Sequence, residues 1–337
     1  MYSAGSTKSD EGIETIDPQV ALFVRAVRRG YAGYPDFTSR NLPEQRAISE
    51  EVRRPWRVGG PPMARCEDLL ASGPLGRVRI RLFDHSAAAA RPALIYLHGG
   101  GFSSFSLDTH DRLMREYAAR SGAIVIGVDY SLSPEAKFPV ALTETVCVAD
   151  WLAEKGPDIG IDPNAVAIGG DSAGANLALA ACLVLRRRGD GAWMKAMLLN
   201  YGFFDSDFTT GSHARHGGAD KLLTTDELAQ YFHNYVGGTP HAANPLALPI
   251  HADLHGLPPS FHTIAQCDPL ADGDRAMVAK LEAAGNAVTS IVYPGATHSF
   301  LEAVSVASLA DQALSDASSW LAATLAAERA SFRADGR

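Results

Sequence analysis

Cysteine is scarce in this chain, with four in 337 residues at positions 66, 147, 182 and 267 and no C-x-x-C pair among them. That spacing argues against a disulfide framework or a cysteine-based zinc site. Cys182 and Cys267 are read as small packed hydrophobes. No apolar stretch is long and uninterrupted enough to span a bilayer, and residues 1–12 lack the apolar core of a secretory leader, so a cytoplasmic product is expected. Positive charge is also in short supply. The formal net charge is −8, and the one run of three basic residues, Arg186-Arg187-Arg188, follows the apolar Leu183-Val184-Leu185. It reads as the exposed end of a helix, where cations favour the C-terminal dipole. Nucleic acid and anionic membranes are not expected as partners. His213 and His216 lie in a Gly-rich loop with no acidic or cysteine set beside them, so no metal is expected there either.

What is present is a large reserve of apolar side chains, 46% of the sequence, arranged in alternating strand and helix patterns without internal repeats or low-complexity linkers. The continuous apolar runs at 93–97, 124–128, 165–168 and 194–199 read as buried strands of a mostly parallel sheet, covered by helices on both faces. Residues 108–120 and 141–154 carry helical spacing, whereas 78–83 alternates apolar and polar side chains and is expected as a half-exposed antiparallel edge strand. Two stretches break this rhythm. Residues 13–60, with Val20, Leu22, Phe23, Ala26, Val27, Ile48, Val52 and Trp56, read as one or two amphipathic helices, and residues 203–245 interrupt the alternation before the next strand.

Four ordered motifs carry chemistry. Gly170-Asp171-Ser172-Ala173-Gly174 stands between a strand and the helix-forming 176–181, which is the pattern of a nucleophile elbow. A sharp strand-to-helix turn lifts the serine hydroxyl out of the sheet, and small neighbours accommodate the crowded backbone. Upstream, His98-Gly99-Gly100-Gly101-Phe102 directly follows a strand. Consecutive glycines there let backbone N–H groups converge on a developing oxyanion. Downstream, the strand at 260–266 leads to Asp268-Pro269-Leu270, and the strand at 288–293 leads to a loop at 294–300 that carries His298. Asp268 and His298 follow Ser172 in the order of an acid and a base that orient and deprotonate a serine. Asp272, Asp274 and Glu302 compete for the acid role, and His262, inside a strand, reads as a packed histidine.

These motifs, ending in His298-Ser299-Phe300, resemble those of the hormone-sensitive-lipase-like branch of the α/β-hydrolases. Residues 107–112 and the run Asp129-Tyr130-Ser131-Leu132-Ser133-Pro134-Glu135-Ala136-Lys137-Phe138-Pro139 look more narrowly like bacterial acetyl esterases, and the resemblance covers roughly residues 75–320. Two positions depart from the family pattern: Ser131 stands where arginine is frequent, and Ala175 where a second glycine is frequent. The resemblance implies an α/β-hydrolase fold with a helical cap. Residues 1–65 would contribute to the cap, residues 66–202 and 246–325 would form the catalytic domain, and 203–245 would be the cap insertion. It also implies a Ser172–His298–Asp268 triad and an oxyanion hole from the N–H groups of Gly100, Gly101 and Ala173, with His98, Gly99 and Asp171 in support. Phe102, Phe203, Phe204, Phe208 and Tyr231 are candidates for lining the pocket, alongside Phe232 and Tyr235. The implied activity is hydrolysis of small, soluble, short-acyl esters without cofactor or metal, in a chain that pairs into a homodimer through its last strand near 290–293. An amidase or formamidase on the same scaffold is the nearest alternative. A non-catalytic small-ligand receptor is a further one, against which the presence of His298 argues.

Overall fold

The computed structural model describes residues 15–334 apart from Ala87, Ala89 and residues 239–242. The leader reading at 1–12 and parts of the two proposed cap stretches therefore lie outside the described residues. Eight strands make one sheet: β1 (Arg65–Gly73), β2 (Gly76–Asp84), β3 (Arg91–Leu97), β4 (Ile124–Val128), β5 (Ile161–Asp171), β6 (Met194–Asn200), β7 (Ser260–Cys267) and β8 (Val288–Thr297), in the spatial order β1-β2-β4-β3-β5-β6-β7-β8. The hairpin β1–β2 and the pair β2–β4 are antiparallel, and every pairing from β4 through β3 to β8 is parallel.

The central strands are apolar throughout because both of their faces are covered. Along β3, Ala93, Ile95 and Leu97 enter one core while Leu94 and Tyr96 enter the other, the two-residue alternation of a pleated strand. The first core is packed by α4 (Val140–Lys155) and α5 (Ala173–Arg187), and the second by α3 (Asp111–Ser121) and the long C-terminal helix that begins at Ser308. Two expectations about the sheet are corrected. The 78–83 strand is not the edge, because β1 pairs outside it from Arg65↔Asp84 to Gly73↔Gly76. Residues 294–297, expected in a loop, continue β8, where Cys267↔Thr297 closes the ladder beyond an irregularity in β7. A proline and a glycine at 294 and 295 look like a strand end in sequence, but an outer strand tolerates them because only one of its sides must be paired. β8 is also the far edge of the sheet, so residues 290–293 have one unpaired side.

The N-terminal stretch forms α1 (Pro18–Ala32) and α2 (Leu42–Arg57). Asp17 caps α1 by accepting from the N–H groups of Gln19 and Val20, and Asn41 caps α2 by accepting from Glu44 N–H. Both helices bury an apolar face (Val20, Phe23, Val27; Ile48, Val52) in the second core. The stretch after β6 contains α6 (Gly211–His216) and α7 (Thr225–Val236), the latter opened by a reciprocal Thr224/Glu227 capping box. Among the helices of the described residues, none is long and apolar enough to cross a membrane.

Burial of α2 brings a charge with it. The Arg53 guanidinium lies 2.8 Å from Glu302 in the segment that follows His298, both side chains are nearly inaccessible, and the rings of Phe23 and Phe105 face Arg53. A buried ion pair contributes little over an apolar pair of the same shape, but removing one partner strands the other. Arg53→Met is therefore expected to lower the unfolding free energy by about 3–5 kcal/mol in a urea titration, and adding Glu302→Leu to restore most of the loss.

Candidate active site

Ser172 sits between the end of β5 and the start of α5 with φ 55° and ψ −117°, a conformation that costs an L-residue about 1–3 kcal/mol and is held only by its surroundings. Those surroundings are specific. The Ser172 N–H donates to the Asn200 carbonyl at 2.9 Å, and the Ser172 carbonyl accepts from Phe203 N–H at 3.1 Å. A Cβ on either Gly170 or Gly174 would run into the carbonyl oxygen of Leu97, so glycine is required where the helix turns back over the neighbouring strand.

Asp268 directly follows β7 and is fully buried. One of its oxygens accepts from Leu270 N–H at 2.9 Å, and the other lies 2.7 Å from Nδ1 of His298, just past β8. Nε2 of His298 is 3.1 Å from the Ser172 Oγ. With its proton on Nδ1 toward Asp268, the imidazole presents Nε2 as the acceptor for the serine hydroxyl. The Tyr201 ring packs edge-on against the imidazole, with centroids 5.0 Å apart.

The competing acids have other partners. Asp272 accepts from Ser212 N–H at 2.7 Å and from Arg275 at 3.1 Å, on α8 (Ala271–Ala283). Asp274 is buried and accepts from Gly202 N–H at 2.9 Å. Burial, reinforced by the nearby Asp268 charge, pushes its carboxyl well above the usual range. Glu302 belongs to Arg53. His262 is buried in β7, where desolvation holds its pKa down to about 3, as a packed histidine requires.

The glycine loop is shaped by contacts on both sides. Gly100 and Gly101 have φ 114° and 59°, and the Gly100 carbonyl accepts from the N–H groups of Ser103 and Ser104 at 3.0 and 2.9 Å. A Cβ on Gly101 would enter the ring of Tyr231, so α7 rests directly on this loop. Below it, Asp171 accepts from Gly99 N–H at 3.1 Å and from Tyr96 O–H at 2.9 Å, and lies 3.2 Å from His110 Nε2. Burial alone would drive His110 neutral, but the Asp171 carboxylate outweighs it and holds the imidazole above its ordinary pKa. The same contest leaves the Asp171 carboxyl below its ordinary value despite burial. His98 stacks on Tyr130 with centroids 4.3 Å apart, and burial, helped by His110, lowers its pKa.

Arg46 of α2 completes the support, donating to the carbonyls of Ser103 at 2.7 Å and Ser133 at 2.9 Å and pairing with Glu135. Ser131, the departure from the family pattern, binds Glu144 through both its N–H and its hydroxyl at 2.6 Å. Neither Arg46 nor His110 carried a role in the sequence reading. Arg46 lies far from every motif in the chain, and His110 had no signal beyond its place in the 107–112 segment.

A cavity of about 950 Å³ between α1 and residues 215–223 reaches His298. None of the seven aromatic pocket candidates lines it. Phe102, Phe203 and Phe204 are buried, Phe102 is stacked on Tyr235 with centroids 3.7 Å apart, Phe208 packs near Phe203, and Tyr231 covers Gly101.

A sheet of this topology with an elbow serine, an acid and a histidine at successive strand ends defines an α/β-hydrolase. A family model described as alpha/beta hydrolase fold matches residues 94–302, well over half of the chain. The chain belongs to the α/β-hydrolase family, in its hormone-sensitive-lipase-like branch. It is 36% identical over 282 residues to an acetyl esterase of Salmonella typhi, covering 82% of this chain and 85% of that protein. Among solved structures it resembles a hyperthermophilic esterase from the archaeon Pyrobaculum calidifontis, with 29% identity, TM-score 0.85, and coverage of 92% of this chain and 98% of that one. A thermostable carboxylesterase from a metagenomic library is similar at 30% identity and TM-score 0.82, with coverage of 86% and 99%.

If the acid is Asp268, Asp268→Asn is expected to reduce kcat by about 10³–10⁴-fold. Asp272→Asn is expected to stay within a few-fold of the parent, at matched unfolding midpoints for the two variants. Steady-state kinetics on an aryl acetate reads the difference.

Proposed function

We propose that this protein is a carboxylic ester hydrolase that works through an acyl-enzyme on Ser172 and prefers short acyl groups. The observation that carries the reading is the chain of contacts from Asp268 through both nitrogens of His298 to the Ser172 hydroxyl. His298 Nε2 takes the serine proton as Oγ attacks the ester carbonyl carbon. The carbonyl oxygen gains the electron pair and is held by the N–H groups of Gly100, Gly101 and Ala173, the last at the helix start, where donors are left unpaired. Asp268 stabilises the imidazolium. Collapse of the tetrahedral intermediate breaks the carbon–alkoxide bond, and His298 gives its proton to the departing alcohol. Water then enters, His298 deprotonates it, and the same steps release the acid and free Ser172.

In this reading α1, α2, α6 and α7 form the cap, with residues 1–65 and 203–245 as its two contributions. Arg46 and Tyr231, which touch the glycine loop from α2 and α7, support it because they make the loop's shape depend on the cap. Two copies would pair through the open edge of β8, each contributing its last strand.

The similarity to an acetyl esterase and the aromatic packing around Phe102 and Phe203 favour a small acyl site. Discrimination of about 1–3 kcal/mol per methylene predicts a gradual decline. kcat/KM is expected to be highest from acetyl to butyryl esters and strongly reduced by octanoyl; an optimum at octanoyl or longer would remove the short-chain assignment. Ser172→Ala is expected to fold normally and lose at least ~10³-fold in activity. Labelling of a serine other than Ser172 by an organophosphate would falsify the assigned nucleophile.

A further inference from the structure

The cavity beside His298 has an unusual lining for a chain of net charge −8. α1 contributes Arg25 and Arg28, three residues apart and so on one helical face, and the opposite wall contributes Arg215 and Lys221. Among the described lining residues, Asp220 is the one carboxylate. It pairs with Lys221 at 2.9 Å, and Arg28, which donates to the Asp220 backbone carbonyl, also acts on the same carboxylate through its charge. Four cations thus surround a space whose remaining walls include apolar Ile16, Val24 and Leu222, an arrangement that focuses a positive field into the cavity.

The position of this space identifies which part of a substrate would enter it. In the proposed mechanism His298 protonates the departing alcohol, and His298 lines the cavity, whereas Ser172, Gly100, Gly101 and Ala173 do not. An ester held on Ser172 with its alcohol portion past His298 would extend that portion toward the cations.

Building on the ester-hydrolase reading, we propose that the cavity between α1 and residues 215–223 is an alcohol-side subsite for a carboxylate, so that the preferred substrates are short-acyl esters of hydroxy acids. The reaction is unchanged: the acyl group moves to Ser172 and then to water, and the hydroxy acid leaves carrying the proton from His298.

The test compares 4-acetoxybutyrate with its neutral isostere 4-acetoxybutyramide, measuring acetate release by the full chain. A preference of at least ~5-fold in kcat/KM for the carboxylate is expected at low salt, shrinking toward unity as ionic strength approaches 0.5 M, where the Debye length falls to about 4 Å. Within Arg25→Glu, and separately within Arg25→Gln, the ratio between the two esters is expected to fall several-fold. Lys155→Glu, an equal change of net charge at the distant end of α4, is expected to keep the parent ratio. Arg25 is exposed on α1, so the single variants test the idea even where replacing Arg28 disturbs its contact with residue 220.

A parent ratio near one, or a ratio unmoved by Arg25→Glu, overturns the subsite while leaving ester hydrolysis intact. An equal gain for monoethyl succinate over a neutral ethyl ester, with the carboxylate on the acyl side, overturns the alcohol-side placement. Failure to hydrolyse even the neutral acetate would instead overturn the underlying esterase reading.

Discussion

The site depends on one steric constraint, the close approach of the elbow to the end of its neighbouring strand. β3 and β5 run parallel with Leu97 opposite Gly170, and the Leu97 carbonyl lies against both Gly170 and Gly174. Parallel pairing brings the two chain reversals to the same end of the sheet, so the glycine loop leaving β3 emerges beside the serine leaving β5. The absence of Cβ at two positions then lets α5 start close enough for Ser172 to stand between them. β7 and β8 carry Asp268 and His298 to the same end by the same logic.

A second organising feature is the use of buried charge to join parts of the chain distant in sequence. Asp171 ties the first residue after His98 to His110, and Arg53 ties α2 to the segment behind His298, while the half-buried Arg46 adds a partly solvated tie from α2 to the Ser103 carbonyl. Charges out of water must be compensated, so each pair tolerates few other geometries. Through these contacts α2 reaches both the chain beside the glycine loop and the segment behind His298.

The two sides of that site differ in character. Around the glycine loop the neighbours are packed rings, with Phe102 stacked on Tyr235 and Tyr231 lying over Gly101. Beyond His298 the chain leaves an open, cation-rimmed space. A ring-packed side and a cation-lined side would sort groups differently, apolar ones by fit and ions by field.

Local chemistry made much of this legible from sequence. Continuous apolar runs mark strands buried on both faces, glycines at 99–101, 170 and 174 mark backbone that a side chain would obstruct, and the order serine, acid, histidine follows from strand ends that alternate with helices. The sequence also exposed β2 as antiparallel, since one of its faces is mixed, yet it hid β1, whose residues Cys66-Glu67-Asp68-Leu69-Leu70 carry no clean period because an outer strand need not bury a full face. Proline and glycine at 294 and 295 concealed the last residues of β8 for the same reason. Only the tertiary structure decided which carboxylate meets His298, that Arg46 and His110 brace the glycine loop, and that four cations gather around the cavity beside His298. Those facts depend on distances between residues tens to hundreds of positions apart. A sequence pattern reports the environment each residue prefers, whereas the packing of helices on a sheet determines which of several suitable partners it reaches.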